Sequence, residues 1–134
     1  MKKKVCLVVA NYYPKISKNL ISGASKILRS ENIKNYKIFK VPGVFEVPFT
    51  IVKKISNYDG FIALGCVIKG ETPHFEFISR STISAIMHLS ITYKKPIGNG
   101  IITCLNKKQA LDRSSVKNNK GQESAKAMLS LLEI

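Results

Sequence analysis

A three-layer α/β sandwich around a four-stranded parallel sheet is the fold this 134-residue sequence predicts. Three observations predict it. Short unbroken apolar runs recur along the chain, each is followed by a longer stretch with apolar residues at helical spacing, and no repeat or low-complexity linker interrupts the alternation. Strands buried on both faces of a parallel sheet read as continuous apolar runs, and the helices that cross between them form the outer layers. A chain of this length can bury a proper core but is too short for two ordinary domains, so 1–134 is read as one domain.

Val5-Cys6-Leu7-Val8-Val9-Ala10 is the first buried strand. Ile16, Leu20, Ile21, Ala24, Ile27 and Leu28 then fall on one helical face, which predicts a helix over about 17–31. Residues 36–41 alternate as a second strand. After Pro42-Gly43, residues 46–56 are apolar enough for a second helix, with Pro48 tolerated in its first turn. Residues 60–67 form the third strand. Thr72-Pro73 opens the third helix, Thr72 as N-cap and Pro73 at the first helical position, and Lys94-Lys95-Pro96 closes it after Tyr93. The fourth strand covers 97–103. Asn106 is placed to cap a short helix that ends near Arg113, and a loop over 114–120 leads to a last helix over 121–132.

Composition narrows the function classes. Net charge is +14, but Lys outnumbers Arg by 19 to 3 and the lysines spread from Lys2 to Lys126. Nucleic-acid readers concentrate Arg and aromatics on one element, so the charge predicts no nucleic-acid partner; a diffuse positive field still attracts phosphorylated small molecules. No run approaches a membrane span. Met1-Lys2-Lys3-Lys4 before an apolar stretch mimics a signal peptide, but six apolar residues are too few, and the expectation is a first strand in a cytoplasmic protein. Cys6, Cys66 and Cys104 have no metal-binding or redox spacing and read as buried reduced thiols.

In folds of this class, ligands bind beyond the carboxyl ends of the strands. That rule selects four segments: Asn11-Tyr12-Tyr13, residues 42–48, residues 66–74, and the region after Thr103. They are also the segments rich in Gly, Pro and unusual polar residues. His74 follows the third strand within the first turn of its helix, a position suited to proton transfer near pH 7. An isolated histidine there is as often a cap or a surface residue; the Gly-containing turn beside it favours function. His88, deep in the same helix, reads as structural or exposed. Gly70-Glu71-Thr72 offers backbone N–H groups to a phosphate, provided Glu71 points away. Arg113 and Lys120 are candidate phosphate cations. Phe45 beside Glu46 pairs an aromatic face with a carboxylate, and Tyr12 is a second stacking platform for a planar heterocycle. No Cys/His cluster offers a metal site.

The same segments resemble the lumazine synthase family. Val41-Pro42-Gly43-Val44-Phe45-Glu46-Val47-Pro48 is similar to that family's V-P-G-x-x-E-x-P segment. Leu64-Gly65-Cys66-Val67-Ile68-Lys69-Gly70-Glu71-Thr72-Pro73-His74 is similar to its L-G-x-V-I-x-G-x-T-x-H motif. Gln109-Ala110-Leu111 with Arg113, then Asn119-Lys120-Gly121, resembles its Q-A-x-x-R and N-K-G tail. The likeness runs in order from about Val5 to Leu132.

The resemblance implies a flavodoxin-like fold and a condensation between 5-amino-6-(D-ribitylamino)uracil and 3,4-dihydroxy-2-butanone 4-phosphate. The products would be 6,7-dimethyl-8-ribityllumazine, phosphate and water, made with no cofactor or metal. Carried over by position, Tyr12 would stack on the pyrimidine in place of the family's usual Phe. Val44, Phe45 and Glu46 would hold the ribityl chain, and Cys66, Val67 and Ile68 would touch the ring. Gly70, Glu71, Thr72 and Arg113 would cradle the phosphate, Lys120 would lie near the substrates, and His74 would be the general acid/base. The resemblance also implies a homo-oligomer, a pentamer or an icosahedral shell of pentamers, with Arg113 and Lys120 serving a neighbour's His74, and a functional link to riboflavin synthase.

Some positions depart from the family pattern. Asn99 stands where the family often has a Phe that covers the ring from the neighbouring subunit, and Asn11 and Tyr13 replace the common flanks of the first-strand aromatic. Two other classes stay open on the sequence: a non-catalytic module of the same fold that holds a flavin or a phosphorylated ligand, and a nucleic-acid protein argued from charge alone.

Overall fold

Val5–Ala10 (β1) lies in the middle of the sheet, which is why six consecutive apolar residues suit it: its side chains are at most 1% exposed on either face. The computed structural model describes residues 2–134. The remaining elements in chain order are Pro14–Ser30 (α1), Tyr36–Val41 (β2), Val47–Lys53 (α2), Gly60–Ile68 (β3), His74–Tyr93 (α3), Ile97–Cys104 (β4), Lys107–Arg113 (α4) and Lys120–Leu132 (α5). All strand pairs are parallel, in the order β2-β1-β3-β4.

Alternate residues of β1 feed two cores. Val5, Leu7 and Val9 pack with Ile16, Leu20, Ala24 and Leu28 of α1 and with Ala125 and Met128 of α5. Cys6, Val8 and Ala10 pack with Val47 and Ile51 of α2 and Ile86 of α3. The three layers predicted from the sequence are therefore present, with α1 and α5 on one face and α2 and α3 on the other. Close approach of α5 to β4 depends on Gly98, where an added Cβ would collide with the backbone carbonyl of Ser124. The edge strand β2 exposes Lys37 and Lys40, charges that discourage further strand pairing.

The strand assignments hold to within one residue. The helix starts differ more. α1 begins at Pro14, three residues before the periodicity suggests, because proline at the first helical position sits outside the apolar pattern. α2 is shorter than the predicted 46–56: a 3-10 turn, Val44–Glu46, precedes it and Lys53 ends it. Thr72 is not the N-cap of α3, and Pro73 is not inside the helix. Pro73 is the cap residue, His74 is the first helical residue, and the Thr72 hydroxyl accepts from the His74 N–H at 3.4 Å. The loop placed at 114–120 ends one residue earlier, with Asn119 capping α5.

Candidate active site

The chain leaves β1 toward β2 on one side and later returns to lay β3 on the other side, so the strand order reverses between β1 and β3. The connections after these two strands diverge and leave a crevice at their carboxyl ends, where ligands settle in open α/β sheets. A cavity of about 660 Å³ occupies it, lined by Tyr12 and Tyr13 after β1, residues 42–46 after β2, Cys66, Val67 and Ile68 at the end of β3, and His74 and Ile78 on α3.

Each lining residue has a local reason for its place. Tyr12 precedes the first turn of α1 and is 71% exposed, its ring meeting that of Tyr13 edge-on. Glu46 turns back across the 3-10 turn, and its Oε1 accepts from the Gly43 N–H at 2.9 Å. That bond fixes one carboxylate oxygen and leaves the group half-buried beside the exposed Phe45 ring. Val44 is buried beneath them. Cys66 forms part of the floor. Burial, and after it the neighbouring Cys104, pushes the Cys66 thiol up to about 12, so it faces the cavity as a neutral thiol. Burial likewise raises the Tyr13 phenol, with Cys66 and Tyr12 adding to it. His74 is exposed at the rim, and the turn Gly70-Glu71-Thr72 leading to it is exposed throughout. Nothing lies within 4 Å of the position a Gly70 Cβ would take, so the backbone there is open to approach.

Thus Tyr12, Val44, Phe45, Glu46, Cys66, Val67, Ile68 and His74 share one cavity, with the Gly70–Thr72 segment of residues 70–72 adjoining it in sequence. Asn99, Arg113 and Lys120 do not line it. Asn99 is exposed on the α3 face of β4, and its Oδ1 accepts from the Ile101 N–H at 3.1 Å. Arg113 ends α4, its Nη1 donating to the Thr103 carbonyl at 3.0 Å. Lys120 opens α5 and pairs with Glu123 at 2.9 Å. The residue-level reading missed Ile78, which the helical spacing from His74 would have found, four residues on along the same face. Tyr13, Pro42 and Gly43 lie in segments the strand-end rule selected, but they carried no assigned role. A larger groove, about 790 Å³, runs along the outer side of α3. It draws on one helix and, from the sheet, on Thr103 of β4 alone, whereas the smaller cavity gathers residues at the ends of three strands and is the better placed for chemistry.

Fold and cavity together define an α/β protein with a crevice at its switch point, aromatic faces beside a carboxylate, and a histidine at the rim. The chain belongs to the 6,7-dimethyl-8-ribityllumazine synthase family, whose model matches residues 2–134. It is similar to proteins of that name from Bartonella tribocorum, at 41% identity over all of this chain and 92% of the relative, and from Bartonella bacilliformis, at 40% over 96% and 87%. A relative from Buchnera aphidicola, named the same way, is 39% identical over 99% of this chain and 87% of its own length.

Proposed function

We propose that the crevice between β1 and β3 is where this chain acts as a 6,7-dimethyl-8-ribityllumazine synthase, and that the chain works as one catalytic domain. As a member of that family it is a transferase of riboflavin biosynthesis. It condenses 5-amino-6-(D-ribitylamino)uracil with 3,4-dihydroxy-2-butanone 4-phosphate, releasing phosphate and water. The observation that carries the placement is the convergence of the ends of three strands and His74 on one cavity.

In this reading the pyrimidine lies against Tyr12, with Cys66, Val67 and Ile68 along its edge. The ribityl hydroxyls meet Val44, Phe45 and the Glu46 oxygen that Gly43 does not hold. The open turn Gly70-Glu71-Thr72 presents backbone N–H groups to the phosphate. The substrate amine attacks the ketone carbon, and His74 at the rim passes the protons for loss of water and for departure of phosphate. Removal of a carbon-bound proton expels the phosphate, and the resulting enol returns to a ketone. The second nitrogen closes the ring on that carbonyl with loss of a second water, His74 again moving the protons. Arg113, Lys120 and Asn99 lie outside their own chain's cavity, which favours an arrangement in which a neighbouring copy supplies them.

Self-association is supported by α3. Only Ser79, Thr82 and Ile86 of that helix are buried, while Phe77, Met87 and Ile91 are each more than 60% exposed. The Ser79 and Thr82 hydroxyls are buried without a hydrogen-bond partner among the described residues. A pentamer is the assembly proposed, alone or as the unit of an icosahedral shell. A cytoplasmic location, supported by three unpaired buried cysteines, and delivery of the product to riboflavin synthase complete the reading.

The test is to incubate the protein with both substrates and follow the absorbance and fluorescence of the lumazine. Product should form well above the uncatalysed rate, and His74→Ala should slow turnover by roughly 10²-fold with assembly intact. A non-catalytic ligand-binding module predicts no excess product. Unchanged turnover in His74→Ala would remove that residue from the mechanism.

A further inference from the structure

Two adjacent tyrosines follow β1, and their surroundings differ. Tyr12 is 71% exposed at the mouth of the cavity. An exposed ring explores several rotamers and loses that freedom when a planar ligand stacks on it, which weakens binding. Tyr13 is half-buried, lines the same cavity and packs against the core shared by β1, α1 and α5. The two ring centroids are 5.0 Å apart with the planes at 76°, the edge-to-face arrangement that aromatic quadrupoles favour.

The backbone beneath the pair is fixed at three points. The Asn11 N–H donates to the Val41 carbonyl at 2.8 Å, and the Ser17 N–H donates to the Tyr13 carbonyl at 2.9 Å. The buried Ser17 hydroxyl donates to the Ala10 carbonyl at 2.7 Å. Tyr13 is also the cap residue of α1. One ring is therefore anchored by core and backbone, and the other has the anchored ring as its aromatic neighbour.

We propose that Tyr13 is a positioning residue: its anchored ring, in edge-to-face contact, holds the exposed Tyr12 ring in the orientation that receives the pyrimidine. This rests on the reading of Tyr12 as the stacking platform. The contact is made by the ring, so phenylalanine supplies it equally well. Leucine fills the core side of the site without offering an aromatic edge.

The test measures KM for each substrate in the assembled enzyme for Tyr13→Leu, Tyr13→Phe, Tyr12→Ala and the Tyr12→Ala/Tyr13→Leu double variant. Tyr13→Leu should raise the KM for the pyrimidine by about two- to tenfold and leave that for the phosphorylated substrate unchanged. Tyr13→Phe should restore the parent value, and Tyr13→Leu should add nothing once Tyr12 is alanine. A merely structural Tyr13 predicts that the two effects multiply in the double variant, and that result overturns the proposal. So does an unchanged KM in Tyr13→Leu while Tyr12→Ala raises it. If Tyr12→Ala itself leaves the pyrimidine KM unchanged, the stacking platform fails first and the positioning role falls with it. Should Tyr13→Leu not assemble, Tyr13→Met offers the same contrast between an aromatic and an aliphatic neighbour.

Discussion

Arg113 is tethered to the end of β4 through the Thr103 carbonyl, and its Nη1 also lies 3.7 Å from Cys104 Sγ. Those contacts engage one nitrogen of the guanidinium fork, whose other donors suit a phosphate. Replacing Arg113 by alanine should raise the KM for the phosphorylated substrate about tenfold or more and alter that for the pyrimidine far less. Equal effects on the two would argue against a phosphate role. The thiols make a second residue-scale prediction. Burial pushes Cys6 up to about 12, against a smaller opposing pull from Lys54, and Cys66 reaches a similar value. The folded chain thus keeps neutral thiols that the unfolded chain loses above the ordinary value of 9.0. Their contribution is complete below pH 9.0 and disappears as the pH climbs toward about 12. Urea midpoints should therefore fall through that alkaline window, and less steeply in Cys66→Ala; an identical slope in the variant would contradict the assignment. Tyr12, Glu46 and His74 were legible from their places after strands, because residue type and topology pointed the same way. Arg113 and Lys120 stood out as candidate phosphate cations by residue type and place in the chain. Their assignment to a neighbour's site, like the reading of Asn99, came from family likeness, since no local pattern ties them to the cavity.

At the scale of elements, strands were easier to bound than helices. A parallel strand buried on two faces has apolar residues at every position, so its ends are where polarity begins; β1 and β3 follow that rule closely. Helix starts depend on capping geometry, which side-chain periodicity does not encode, and α2 and α3 both differ there from expectation. Asn106 was a readable cap because its Oδ1 accepts from the Gln109 N–H, three residues on, at 2.9 Å. Asn119 does more than a cap. Its Oδ1 accepts from the Gln122 N–H at 3.1 Å, while its Nδ2 donates to the carbonyls of Asn19 and Ser114, each at 3.0 Å. One buried side chain thereby ties α1, the loop after α4 and the start of α5. Asn119→Ala should destabilise the fold by about 2–4 kcal/mol, read as a lower urea midpoint. A change below about 0.5 kcal/mol, the size of an ordinary surface substitution, would show that the tie contributes little.

For the molecule as a whole, α3 poses the sharpest question. A helix whose outward side carries Phe77, Met87 and Ile91 exposes more apolar surface than water-facing helices usually do. Native mass measurement should give about five times the chain's 14.9 kDa, or a multiple of that for a shell. Ile91→Lys should shift it toward smaller species and lower activity together. A parent protein that is monomeric and fully active would rule out both the pentamer and the shared site.

The sequence by itself determined the fold class and picked out three of the segments that line the crevice. Continuous apolar runs are a direct record of two-sided burial, and strand-end chemistry follows from chain order. Only the tertiary structure decided that β1 and β3 flank the switch point, and that the Tyr13 ring meets that of Tyr12 edge-on. It also set Arg113 and Lys120 away from the lining of their own chain's cavity. Those outcomes depend on which strands become neighbours and where side chains turn in space, and that information resides in contacts between distant segments.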